Sequence, residues 1–302
     1  MVRYDQLGIA AKNAGCKVFF DEPLCRHTTF KIGGPAPVYI VADTPEALAS
    51  LIAQCYQEEI PFFLLGNGSN LLVGDHGMDC AVLRLSEEAI GIRREDDDII
   101  CGAGLPLSAL ASFAQKQGLT GMEFSWGIPG TVGGAVYMNA GAYGGEMKQV
   151  VSRCNHITAE GKLGKLEGAS LQFSYRHSAY SGKNDAITEV RVHLTPGDGE
   201  EIGARMRNIM ERRKLKQPLE FPSAGSVFKR PEGHFAGALI EQCGLKGCMI
   251  GGAQVSEKHA GFIINRGGAT SEDVLRLVKK IQETVFRRTG ISLECEIKSV
   301  GY

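Results

Sequence analysis

Hydrophobic and polar positions along this chain follow two periods. VYIVA (38–42) is a short apolar run of strand type. PEALASLIAQCYQEEI (45–60) spaces its apolar residues three and four apart, the pattern of an amphipathic helix, opened by Thr44 and Pro45. PFFLLG (61–66) reads as a buried strand that runs directly into GNGSNLLV (66–73). Strand, helix, strand and glycine turn within about 35 residues form a βαβ-like unit whose last turn can receive a ligand. The residues before this unit are read as irregular.

Further along, CAVLRL (80–85) and IICGAG (99–104) predict strands, and PLSALASFAQKQG (106–118) predicts a helix ended by its glycine. VVSRCNHIT (150–158), KLGKLEG (162–168) and AITEVRVHL (186–194) read as strands of a mostly antiparallel sheet. TPGDGEE (195–201) is the best candidate linker, leading to the basic helix EEIGARMRNIMERRKL (200–215). The last third predicts a helix at AGALIEQCG (236–244), a strand at GFIIN (261–265) and a helix at SEDVLRLVKKIQETVFRRTG (271–290) capped by Ser271. ISLECEIKSVG (291–301) reads as a final strand. Strands and helices mix without strict alternation and without an internal repeat, so the class is α+β.

A chain of 302 residues with 43% hydrophobic content is long enough for two or three packed domains. Charge excludes more than it suggests. Thirty-three basic against 34 acidic residues give a net charge of −1, which argues against a nucleic-acid groove or an anionic membrane surface and favours small-molecule partners. The nine cysteines are scattered, with no CxxC pair to hold zinc or form a redox dithiol, so no metal site is expected. With no basic, apolar leader and no apolar run of about 18 residues, reduced thiols, a cytoplasmic location and no membrane span are expected.

Glycine changes the picture most, because 39 residues are nearly twice the usual share and they cluster at 33–34, 66–68, 102–104, 127–145 and 251–252. GNGSN (66–70) admits two readings: a tight turn after a strand, or a nest of backbone amides for phosphate oxygens, with donors added by Ser69 and Asn70. It lacks the third glycine of a dinucleotide fingerprint and the Lys-Ser/Thr of a nucleotide-triphosphate loop. GIPGTVGGAVYMNAGAYGG (127–145) holds seven glycines and no charge. Either it packs tightly for its own sake, or it lies along a long flat cofactor, with Thr131, Asn139 and Tyr143 as polar contacts. Two uncharged glycine segments favour one shared ligand.

HTTFKIGGPA (27–36), LGNGSNLLV (65–73), GIPGTVGGAVYMNAGAYGGE (127–146), FSYRHS (173–178), PSAGSVFKRP (222–231), GGAQVSEKHAGFIIN (251–265) and LECEIKSVG (293–301) together resemble the UDP-N-acetylenolpyruvoylglucosamine reductases. The likeness spans nearly the whole chain, with its motifs in order. It implies non-covalent FAD in a PCMH-type, vanillyl-alcohol-oxidase-like domain of two parts (1–85 and 86–198), followed by a substrate domain (199–302). It also implies that NADPH reduces the flavin, which then reduces UDP-N-acetylglucosamine enolpyruvate to UDP-N-acetylmuramate, a step of peptidoglycan precursor synthesis in the bacterial cytoplasm. On this resemblance the cofactor lies against Gly66, Asn67, Gly68, Ser69, Asn70, Leu71, Gly130, Thr131, Gly133, Gly134, Ala135, Asn139, Gly141 and Ala142.

Hydride delivery to the enolpyruvyl group leaves an enolate, so the chemistry requires a cationic fork to hold the charge and an acid to supply a proton. Arg176 matches the family's catalytic arginine, Ser226 its proton donor and Glu296 its catalytic glutamate. Spacing alone puts Glu294 and Glu296 on one strand face, and only the motif selects between them. Tyr175, Lys214, Lys229 and His259 match substrate-side positions. For Lys214 a helix-end role is an equal reading, since basic residues suit that end, and His259 can be a solvated loop residue. Arg230 stands where some members carry Asn, and Cys295 where many carry Pro. The short interval from Arg176 to Ser226 lacks the inserted loop of some members, which marks the loop-free subtype. Two rival readings are an oxidase of the same flavin fold and a non-catalytic nucleotide-sugar sensor.

Overall fold

The computed structural model describes residues 2–302. The chain forms two compact units, one of Met1–Asp21, Pro37–Asn67 and Cys80–Glu211, the other of Glu22–Ala36, Gly68–Asp79 and Arg212–Tyr302.

The first unit starts with a helix where an irregular segment is expected. Helix α1 (Val2–Asn13) buries Tyr4, Leu7 and Ala11, a three-and-four spacing interrupted in the sequence by Gly8. A Cβ there would lie 2.5 Å from the tip of the Phe20 ring, a partly exposed side chain that would have to swing aside. Helix α2 (Pro45–Gln57) is opened by Thr44, whose hydroxyl accepts from the Ala47 amide at 3.1 Å. It stops three residues short of its expected end, since Glu59 turns left-handed (φ 52°) and Ile60 folds back onto the Cys55 carbonyl at 2.8 Å. Its buried Leu48, Leu51 and Ile52 each contribute about 1.5–3 kcal/mol of burial. Strand Ala81–Leu85 runs parallel to, and between, Pro35–Ala42 and Phe62–Leu64, so the two outer strands of the expected βαβ unit are not neighbours.

The second core of this unit lies under a five-stranded antiparallel sheet in the order Leu163–Glu167, Val151–Ile157, Ala186–His193, Asp98–Gly102, Ile92–Glu95. Helices α3 (Leu107–Lys116) and α4 (Val132–Tyr137) fill it with Leu107, Leu110, Val132 and Val136. The segment expected as a linker is an ordered edge: Thr195–Pro196 pairs with Leu119–Thr120, and Asp198 accepts from the Glu200 and Glu201 amides at 2.8 and 3.0 Å to start helix α5 (Gly199–Lys216).

In the second unit an antiparallel sheet orders Ser223–Ser226, Phe262–Asn265, Ala253–Val255 and Met249–Ile250. Helices α6 (Ala236–Gln242) and α7 (Ser271–Thr289) share its core, with Leu239, Ile240, Val274, Leu277 and Ile281. The cap of α7 is Thr270 rather than Ser271. Thr270 forms a reciprocal capping box with Asp273, whereas the Ser271 hydroxyl donates to Asp75 at 2.8 Å. The expected final strand is also shorter: only Lys298–Val300 is a strand, parallel to Leu71–Val73, and the preceding residues touch their neighbour through a single bridge between Phe228 and Cys295. No helix among the described residues is long and apolar enough to cross a membrane.

Candidate active site

In the first unit the two glycine segments meet. Leu65 closes its strand by donating to the Leu83 carbonyl at 2.9 Å, and the chain then turns through Gly66 and Asn67. The Asn67 side chain donates to the Pro129 carbonyl at 2.7 Å, and a Cβ on Gly66 would fall 2.7 Å from Thr131 Oγ1. Thr131 is itself spent as the α4 cap, accepting from the Gly134 amide at 3.2 Å. Gly133 donates to the Ala103 carbonyl at 2.8 Å, and a side chain there would clash with Ala103. Ala135 is buried beneath, and Gly141–Ala142 pairs with Gly145–Glu146 as a small hairpin.

Asn139 holds this hairpin from inside. Fully buried and left-handed (φ 42°), it donates to Glu146 at 3.1 Å and to the Ser174 carbonyl at 2.9 Å, and accepts from the Lys148 amide at 2.9 Å. Its side chain therefore braces the loop. The Ser174 bond brings in Arg176, which sits at the tip of a turn closed by Ser174 and His177 with two backbone bonds of 3.1 Å. Arg176 is left-handed (φ 54°), a conformation that costs a non-glycine residue about 1–3 kcal/mol and that collects at functional sites. Its guanidinium lies 3.4–3.5 Å from the Gly141 carbonyl and 5.3 Å from the ring of Tyr175, which is half exposed. Arg176, Tyr175 and the 130–142 segment thus form one neighbourhood.

The second unit carries the other predicted residues. Gly68 is left-handed (φ 58°), and a Cβ on it would stand 2.3 Å from the His27 carbonyl oxygen, so only glycine fits. Asn70 donates its side-chain amide to the Glu296 carbonyl at 3.1 Å, and its own carbonyl accepts from the Lys298 amide at 3.0 Å. From Asn70, Leu71 starts the strand that pairs with Lys298–Val300. Glu296 in turn donates its amide to the Val227 carbonyl at 2.7 Å, which sets it one residue across from Ser226. The Ser226 hydroxyl donates to the Phe228 carbonyl at 3.2 Å.

His259 completes this group. Its Nδ1 accepts from the Gly261 amide at 3.1 Å and its ring packs edge-on against Phe262 at 5.0 Å, so it is not a solvated loop residue. Burial pushes the imidazole below its ordinary value of 6.5 and favours the neutral ring. Sequence reasoning passes over Gly261. A Cβ there would meet the His259 ring at 3.0 Å and Ser226 Oγ at 3.5 Å, so its bare backbone keeps the two side chains close. Its only signal is a glycine opening the GFIIN strand. Lys229 donates its amide to the Glu294 carbonyl at 2.8 Å and its ammonium pairs with the Glu294 carboxylate. Lys214 joins none of these contacts; it is exposed in the last turn of α5, where a cation suits the carbonyl end of the helix.

A family model described as UDP-N-acetylenolpyruvoylglucosamine reductase, C-terminal domain, matches residues 217–300, and one for an FAD binding domain matches residues 36–167. A UDP-N-acetylenolpyruvoylglucosamine reductase of Caldanaerobacter subterraneus subsp. tengcongensis is 50% identical over 285 residues, 94% of each chain. The chain belongs to the UDP-N-acetylenolpyruvoylglucosamine reductase family. A reductase of the same name from Clostridium botulinum is 46% identical over 284 residues, 94% of this chain and 92% of the relative. The crystal structure of UDP-N-acetylenolpyruvylglucosamine reductase from Thermus caldophilus superposes with a TM-score of 0.80 at 37% identity, covering 94% of this chain and 98% of that one. Glucooligosaccharide oxidase from Acremonium strictum, at 11% identity and a TM-score of 0.50, shares the fold alone, over 92% of this chain and 58% of its own.

The family's architecture is α+β, with a PCMH-type FAD domain and its own C-terminal domain, and FAD is the cofactor. The residues present fit that group. Among the described residues, the amides of Gly66 and Asn67 in the first unit, and of Gly68 and Ser69 in the second, engage no protein acceptor. In each unit taken by itself, amides with no acceptor suit the oxygens of a phosphate group.

Proposed function

We propose that this chain reduces UDP-N-acetylglucosamine enolpyruvate to UDP-N-acetylmuramate at the expense of NADPH, in the cytoplasm, as a step of peptidoglycan precursor synthesis. When bound, the FAD supplies the hydride relay between nicotinamide and enolpyruvyl group. The protein's own residues do the rest. The amides of Gly66, Asn67, Gly68 and Ser69 hold phosphate oxygens, while Gly130, Gly133, Gly134, Gly141 and Ala142 offer an uncharged wall that admits close approach, braced from within by Thr131, Ala135 and Asn139.

Arg176 holds the substrate carboxylate in its planar fork and stabilises the charge that develops as the enolate forms. Ser226 gives its proton to the carbon that has become basic, so a hydroxyl that is a weak acid in water is acid enough here. Leaving the Phe228 carbonyl to do so forfeits one ordinary hydrogen bond, about 1 kcal/mol, a small part of any catalytic barrier. Glu296 supports that transfer from the neighbouring segment. Tyr175, Lys229 and His259 line the substrate side, with Lys214 at its margin.

The observation that supports this reading most is the 2.7 Å bond from the Glu296 amide to the Val227 carbonyl, because it brings the Glu296 backbone to within one residue of Ser226 from a segment distant in sequence. The test is optical. The purified protein should be yellow, bleach with NADPH and recolour when the enolpyruvyl substrate is added. A folded protein that takes up no FAD, or one that NADPH bleaches and the substrate leaves colourless, overturns the reading.

A further inference from the structure

Residues 226–229 and 294–296 run side by side as a short ribbon, joined by the Phe228–Cys295 bridge and by backbone bonds of 2.8 Å from Lys229 to Glu294 and 2.7 Å from Glu296 to Val227. Ser226 and Glu296 occupy one end. At the other, the Lys229 ammonium pairs with the Glu294 carboxylate, and the two partners differ in hydration: the lysine side chain is 32% exposed and the glutamate 73%. As a clamp this pair adds little, because the ribbon is already held by its backbone and an ion pair so open to water is worth about 0–1 kcal/mol. The same weakness makes the pair easy to exchange. A carboxylate mostly in water regains its hydration on leaving, whereas a half-buried ammonium gains from a replacement anion with more charge and more acceptor oxygens.

We propose that Glu294 is a resident counter-anion of Lys229, displaced by an oxyanion of the substrate, so that it sets the substrate KM without entering the chemistry. Glu294 is then a positioning residue: it holds the lysine in place and neutralised until the substrate takes over. The inference rests on the reading of Lys229 as a substrate-side residue.

The experiment is steady-state turnover of UDP-N-acetylglucosamine enolpyruvate at saturating NADPH and low ionic strength. Glu294→Gln should lower KM about two- to fivefold with kcat and thermal midpoint unchanged. Glu294→Asp, which keeps the charge, should stay close to the unaltered protein. Lys229→Met should raise KM, and adding Glu294→Gln to it should change KM no further. A KM that stays level or rises in Glu294→Gln, a kcat that falls with it, or a lowered KM that persists without Lys229 overturns the proposal. If the unaltered protein bleaches no flavin and turns over no substrate, the functional reading fails and takes this inference with it. If it turns over normally, an unlowered KM in Glu294→Gln sinks this inference alone.

Discussion

Asn70 reaches Glu296 across the fold, donating its side-chain amide to the glutamate carbonyl at 3.1 Å. The glycine turn that suits a pyrophosphate is thereby fastened to the segment that carries the carboxylate. Asn70→Leu keeps much of the volume and removes the donor. One lost hydrogen bond of about 1.4 kcal/mol corresponds to about a tenfold slower recolouring of reduced flavin by the enolpyruvyl substrate. Stopped-flow absorbance measures it, and an unchanged rate would show that the tie has no catalytic consequence.

Ser226→Ala separates the two halves of turnover. Bleaching by NADPH should proceed at the unaltered rate, while reoxidation by the substrate should slow by about 100-fold or more, the usual contribution of a positioned acid. Equal slowing of both halves would remove Ser226 from proton delivery.

Two glycines with similar backbones should respond differently to alanine. Gly68 and Gly233 are both left-handed, at φ 58° and 70°, but a Cβ on Gly68 meets the His27 carbonyl at 2.3 Å while one on Gly233 meets nothing within 4 Å. Gly233→Ala should cost only the conformational penalty, about 1–2 kcal/mol, and keep its flavin. Gly68→Ala should lose more stability and most of the bound flavin. Urea midpoints and the ratio of flavin to protein absorbance report both, and equal losses would contradict the clash.

Stability should fall as the solution is acidified from pH 7.5 to 5.5. Burial holds both His156 and His259 below the ordinary value of 6.5, so between the folded and unfolded values the unfolded chain binds more protons. The sign follows directly: stability is complete above about pH 6.5 and is lost as pH drops through that value toward the folded one. Urea midpoints at the two pH values check it, and His259→Gln should shrink the difference. An unchanged gap in that variant would assign the effect elsewhere.

Much of the fold is legible wherever an element satisfies itself. Helices α2, α3, α5 and α7 carry their own periodicity and end signals, and four strands of the five-stranded antiparallel sheet lie within a residue or two of the segments expected; the fifth, Ile92–Glu95, is mostly charged, has no apolar run and goes unseen in the sequence. Helix α1 is hidden because Gly8, a poor helix former, interrupts the apolar stripe of Tyr4, Leu7 and Ala11. The final strand is overextended because strand character belongs to a pair: residues before Lys298 have the composition but lack a continuous partner. Ser271 makes an equally good cap on paper, and only the presence of Asp75 shows where its hydroxyl goes. At the site, motifs name Ser226 and Glu296, but their adjacency is a product of chain path. The same is true of the Asn70 tie, made between residues 226 apart, and of Gly261, whose value lies in what it leaves empty.

The parallel pairing of Leu71–Val73 with Lys298–Val300 also bears on the order of folding. Closing so long a loop is entropically slow, and local helices and hairpins form well before it. The turn at Gly68–Asn70 thus gains its final neighbours among the latest events, and a refolding chain is blind to its dinucleotide until then. Quenching of added flavin fluorescence should consequently lag behind the recovery of far-ultraviolet circular dichroism.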